Sequence, residues 1–177
     1  LERIVMKGLK RNVDERYALL PVIVVSARPD ARELLSGIGG VYGFVTKPYG
    51  FVEGRKYPVA FLIHGGPQGT FNNGWSYRWN PQVWAGMGYA VVSVDFHGST
   101  GYGAHFAQSI IGHWGDRPLK DLQKGWAYAL SRYSYLDGGH ACALGGSYGG
   151  YMIDWIASQW SDPWRCLVDH AGVYDVR

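Results

Sequence analysis

ALGGSYGGYM, residues 143–152, places a single serine between two glycine pairs, where an apolar run gives way to helical periodicity. Glycine loses more conformational freedom on folding than any other residue. Such a cluster is therefore favoured only where a Cβ has no room or φ must be positive. Both requirements meet at a sharp strand-to-helix turn. Gly145 to Gly149 match G-x-S-x-G, whose context is a buried strand before it and a helix after it. His140 to Leu144 form the apolar run, after the turn-forming Asp137-Gly138-Gly139, and Met152, Trp155, Ile156 and Trp160 recur at helical spacing over residues 151–160. In that context the Ser147 hydroxyl stands exposed at the tip of the turn. To act as a nucleophile it also needs a histidine base and an acid to orient that base. A tight glycine-rich connection without chemistry is the competing reading.

The flanking sequence alternates strand and helix. Pro58 to Ile63 is a continuous apolar run ended by Gly65-Gly66-Pro67, and Tyr89 to Phe96 is a second, stopped by the loop His97 to Gly103. Residues 164–170 form a further strand. Pro81 to Met87 is helix-compatible with proline in its first turn. Pro118 to Tyr133 is the most periodic segment, with Leu119, Leu122, Trp126, Leu130 and Tyr133 on one face and Asp116 expected as its cap. Strands separated by helices imply an α/β fold, a mostly parallel sheet flanked by helices, and ligands in such sheets bind beyond the carboxyl ends of the strands. The loops His64-Gly65-Gly66, His97-Gly98 and Gly145 to Gly150 all follow strands, so they are expected on one rim.

Composition narrows the function classes. With 177 residues, 47% apolar and 18% charged, the chain has material for one core, and its formal charge of +3 is dispersed, which argues against a nucleic-acid surface. There is no apolar run of membrane-spanning length, and LERIVMKGLKRNVDERYALL carries no apolar leader core, so no membrane insertion is expected. No CxxC pair, HExxH or phosphate-cradling P-loop occurs, so neither a metal nor an organic cofactor is expected. Cys142 and Cys166 lie in apolar runs and read as free thiols in core strands.

Four segments in order, YPVAFLIHGGPQG (57–69), YAVVSVDFHGSTGYG (89–103), WGDRPLKDLQKGW (114–126) and GGSYGGYM (145–152), together resemble the catalytic domain of the prolyl oligopeptidase family of serine peptidases. The likeness lies with its dipeptidyl aminopeptidase and acylaminoacyl peptidase branch and covers residues 42–177. It implies an α/β-hydrolase fold with Ser147 as the acyl-accepting nucleophile. It further implies an oxyanion hole built from the backbone amides of Tyr148 and Gly66, and short peptides as substrates, with dipeptide release as the expected specificity. The GSTGYG loop is read as framework for the substrate cleft. Relatives of this branch are often exported, which implies a periplasmic or secreted location.

The chain also departs from the family pattern. The fold's order is serine, acid, histidine, and the family's acid and base positions find no match between Ser147 and Arg177. The chain is therefore expected to be a catalytic domain truncated on its C-terminal side, inactive alone and prone to self-association through an exposed sheet edge. His64 is expected to shape the HGGP loop. His97 and His170 are expected to be hydrogen-bonded strand-end residues, with Asp169 beside the latter and Asp154 and Asp162 solvated. Residues 1–41 form a segment of uncertain origin: residues 20–49 resemble the second half of a response-regulator receiver domain, with Ser26 and Lys47 in the positions of its hydroxyl residue and lysine. That likeness overlaps the first strand of the peptidase domain, and it keeps open a non-catalytic signalling fragment beside an esterase on the same fold.

Overall fold

A computed structural model describes residues 42–71 and 76–175. The receiver-like segment up to residue 41, Ser26 included, lies outside them. In chain order the elements are β1 (Tyr42–Thr46), β2 (Tyr57–Ile63), α1 (Pro81–Gly86), β3 (Ala90–Asp95), α2 (Ala104–Gln108), α3 (Asp116–Arg132), β4 (Leu136–Gly146), α4 (Tyr148–Gln159) and β5 (Trp164–His170). They build a five-stranded sheet in the order β1-β3-β2-β4-β5. β1 runs antiparallel to β3, and the β2–β3, β2–β4 and β4–β5 pairs are parallel. Lys47, at the end of β1, lies over the Phe51 ring at 4.2 Å.

The apolar runs become strands because both faces of the sheet are covered. On one face Val59, Phe61 and Ile63 of β2 pack with Leu122 and Trp126 of α3 and Met152, Ile153 and Ile156 of α4. On the other, Ala60 and Leu62 pack with Ala85 of α1 and Val91 of β3. Phe61 is fully buried and its ring lies 5.6 Å from Trp126 and 5.3 Å from Trp164. Burying such a side chain is worth about 1.5–3 kcal/mol.

Three expectations change. Asp116 does not cap α3: it is the first residue of the helix, the cap position is Gly115, and no side chain bonds the cap. Its charge still suits the positive end of the helix dipole. β4 begins at Leu136 rather than His140, since its early residues also pair with β2; the partner then jumps from Asp137 at Pro58 to Ala141 at Val59, leaving residues 138–140 bulged out. Cys142 and Cys166 are not free thiols but a disulfide, because the β4–β5 register sets them side by side with Cα atoms 4.7 Å apart. Among the described residues no helix is long and apolar enough to cross a membrane.

Candidate active site

The connectivity marks one place on the rim. The connection after β2 runs through α1 on one face of the sheet to β3, whereas that after β4 runs through α4 on the opposite face to β5, although β2 and β4 are neighbours. Adjacent strands whose helices leave in opposite directions open a crevice beyond their carboxyl ends, where open α/β sheets bind ligands. Gly65 and Gly66 follow β2, and Ser147 follows β4.

Ser147 has φ 57° and ψ −120°, a left-handed conformation that glycine adopts far more readily. The neighbouring glycines make this turn possible. A Cβ on Gly145 would collide with the Gly149 backbone, and one on Gly149 with the Ile63 carbonyl. A Cβ on Gly65 would lie 3.0 Å from the Gly146 carbonyl and 3.9 Å from the Ser147 hydroxyl. The elbow is also tethered to β5, since the Ser147 N–H donates to the His170 carbonyl at 3.0 Å.

Tyr148 opens α4, so its amide is one of the unsatisfied donors at a helix start. Its side chain is fully buried, with the hydroxyl donating to the Trp114 carbonyl at 2.6 Å. The amide of Gly66, a residue with φ 127°, donates to no acceptor among the described residues. The rim at the elbow is partly aromatic: a Cβ on Gly146 would meet the Trp79 indole at 2.9 Å, and Trp79 lies 6.0 Å from the His170 ring.

Behind the β2 loop lies a buried polar network. His64 Nδ1 is 2.9 Å from the Gly65 carbonyl and Nε2 is 2.8 Å from the Ser99 hydroxyl. Asp95, fully buried at the end of β3, accepts from the Phe71 amide at 2.8 Å, the Thr70 hydroxyl at 2.7 Å and the Tyr102 hydroxyl at 2.6 Å. Desolvation pushes the Asp95 carboxyl up from its ordinary value against these hydrogen bonds, and it pushes the His64 imidazole down. Tyr102 is pushed up by burial and by Asp95.

Of the residues singled out in the sequence, Ser147 and Tyr148 follow β4 and Gly66 follows the neighbouring β2, one residue beyond Gly65, whose Cβ would lie 3.4 Å from that of Ser147. His64 bonds the HGGP loop, as expected. His97 is hydrogen-bonded, its Nδ1 and backbone amide both meeting the Asp121 carboxylate. His170 ends β5, but its exposed imidazole makes no hydrogen bond among the described residues and faces Trp79 instead, a correction to the expectation. No described side chain hydrogen-bonds the Ser147 hydroxyl. The Asp95 network was missed, although the sequence held a signal. A lone carboxylate closing the apolar run YAVVSVDF, if buried, must find donors.

A profile of the prolyl oligopeptidase family matches residues 75–177. The chain is 47% identical over 136 residues to dipeptidyl-peptidase 5 of Schizosaccharomyces pombe, covering 76% of this chain and 20% of that protein. It is 44% identical over 135 residues to a probable dipeptidyl-peptidase 5 of Emericella nidulans, covering 76% of this chain and 19% of that protein. Among solved structures, acylaminoacyl peptidase of Pyrococcus horikoshii superposes with a TM-score of 0.67 at 32% identity, over 75% of this chain and 21% of that one. An acylaminoacyl peptidase in complex with Z-Gly-Gly-Phe-chloromethyl ketone gives 0.68 at 32% identity, with the same shares covered. The chain thus spans about a fifth of the length of the relatives it matches.

Proposed function

The chain belongs to the prolyl oligopeptidase family, and from that premise we propose that it carries the nucleophile and oxyanion donors of a serine-type peptidase that hydrolyses short peptides, releasing dipeptides. The observation carrying this reading is the Ser147 elbow at the crevice between β2 and β4. There a Cβ on Gly65 would lie 3.4 Å from that of Ser147, and the Gly66 and Tyr148 amides have no other acceptor among the described residues. In the proposed reaction Ser147 Oγ attacks the scissile carbonyl carbon and its proton passes to a base. Negative charge collects on the carbonyl oxygen and the two amides stabilise it; the base then gives its proton to the scissile nitrogen as the C–N bond breaks, and the amine departs to leave an ester on Ser147 that water hydrolyses. Removing one such donor typically costs about 2.7–4 kcal/mol of transition-state stabilisation. Dipeptide release is supported by the dipeptidyl-peptidase 5 relatives.

No described imidazole bonds the Ser147 hydroxyl, so the 177-residue chain is expected to react slowly. Triads stripped of a member retain only roughly 10³–10⁴ of acceleration over water. The test is mass-spectrometric mapping of a fluorophosphonate adduct on the parent chain and on Ser147→Ala. A slow adduct confined to Ser147 is expected, and an adduct at another residue, or one undiminished in Ser147→Ala, overturns the reading. Diphenyl phosphonates built on a dipeptide with a free amine should label faster than N-acetylated ones; the reverse order would replace dipeptide release with removal of acylated residues.

A further inference from the structure

We propose that Ser99 is a positioning residue that aims the Gly66 amide by fixing the tautomer of His64, an inference that rests on the reading of Gly66 as an oxyanion donor. The Gly65 carbonyl only accepts, so the Nδ1 that lies 2.9 Å from it carries the hydrogen. The side chain is 7% exposed, and burial disfavours its charged form. In the neutral ring Nε2 is then the acceptor, and the Ser99 hydroxyl 2.8 Å away donates to it. Asp95 does not compete for an Nε2 proton: its nearer oxygen is 3.7 Å from Nε2, and both oxygens are taken by Phe71, Thr70 and Tyr102.

The Gly65–Gly66 peptide is trans, since the cis bonds of the described residues are Gly66–Pro67 and Asp162–Pro163. In a trans peptide the C=O and N–H point in opposite directions. With the Gly65 carbonyl held against the buried ring, the Gly66 N–H is turned away from it, toward the open rim where Ser147 stands. Two consecutive glycines would otherwise let this peptide rotate at little steric cost. Gly69 closes over the anchoring bond: a Cβ there would lie 2.6 Å from the Gly65 oxygen and 3.1 Å from His64 Nδ1. Ser99, fully buried, is itself pinned by its N–H to the Phe96 carbonyl at 2.9 Å, and the next amide, Thr100, donates to Gly69 at 2.8 Å. The loop after β3 therefore sets the proton on His64, and His64 sets the peptide after β2.

The test is ¹⁵N NMR of the imidazoles together with the ¹³C shift of the Gly65 carbonyl, in the parent chain, Ser99→Ala and Ser99→Thr. The parent and the threonine variant should show a neutral His64 protonated at Nδ1. Ser99→Ala should show a tautomer mixture and a shifted Gly65 carbonyl. A parent His64 that is protonated at Nε2 or charged overturns the proposal without any variant, and so does an alanine variant with both signals unmoved. Fluorophosphonate labelling of Ser147 should slow about tenfold in Ser99→Ala and recover in Ser99→Thr, a smaller loss than the roughly 10²–10³ seen when an oxyanion donor is removed outright. A parent chain with the expected His64 tautomer and coupled Gly65 shift but no label at Ser147 supports the positioning device and overturns only the acyl-transfer reading.

Discussion

Gly149 stands one residue beyond Tyr148, and its missing side chain lets α4 leave the elbow directly beneath the end of β2. An alanine there would drive its methyl into the Ile63 carbonyl, which is backbone and has nowhere to move. Gly149→Ala is expected to destabilise the chain by about 1–3 kcal/mol, the range for overpacked sites. Gly139→Ala, whose nearest neighbour would be the Asp137 carboxylate at 3.5 Å, should stay within about 0.5 kcal/mol of the parent. Urea unfolding of both variants makes the comparison. His64 yields a pH signature. Its folded-state pKa is depressed, so the unfolded chain takes up the proton first, and stability is lost as pH falls below about 6.5, the ordinary imidazole value. Asp95 works the other way: its raised carboxyl favours the fold while protonated, and that contribution is lost as pH rises through its folded pKa. Unfolding free energies of the parent and His64→Gln between pH 5 and 7 should therefore differ in slope, with the variant losing less stability toward acid.

The disulfide acts between elements. It joins β4, which ends in the elbow, to β5, whose last carbonyl holds the Ser147 amide. Bridging residues 24 apart restricts the unfolded chain enough to be worth about 2–4 kcal/mol. Cys142→Ala/Cys166→Ala is expected to lose that amount in urea unfolding, and added reductant should lower the parent's midpoint but not the variant's. The pairing was not legible in the sequence because it depends on register: apolar runs announce strands, but not which residues of two parallel strands meet. The same limit explains β4, whose early residues are glycine-rich and polar yet pair with β2. It also explains Asp116, where an acidic residue near a helix start fits the cap position and the first turn equally well. By contrast β5 falls on the segment expected, and the elbow is recognisable because its glycines answer local collisions that any strand-to-helix turn of this kind would create. The Asp95 network, assembled from residues 70, 71 and 102, is a product of tertiary folding and left only its lone carboxylate as a trace.

At the scale of the whole molecule the sheet is asymmetric. β1 and β5 are its outer strands; β5 is exposed along most of its length, with Val168 40% exposed, and no described strand pairs with its outer side. Unpaired strand edges recruit further strands, so the chain is expected to dimerise with a second copy through β5. Concentration-dependent sizing should show it, and Val168→Lys should shift the chain toward monomer; a parent that elutes as monomer at every concentration refutes this. A different consequence follows from the left-handed conformation of Ser147. Holding a non-glycine residue there costs roughly 1–3 kcal/mol, and a cell keeps folded only what its proteases do not catch open. Exchanging the serine for glycine should thus give higher steady-state abundance in the host and no covalent adduct at residue 147. On the proposed reading, the elbow serine lowers how many copies survive in return for a nucleophile in each of them.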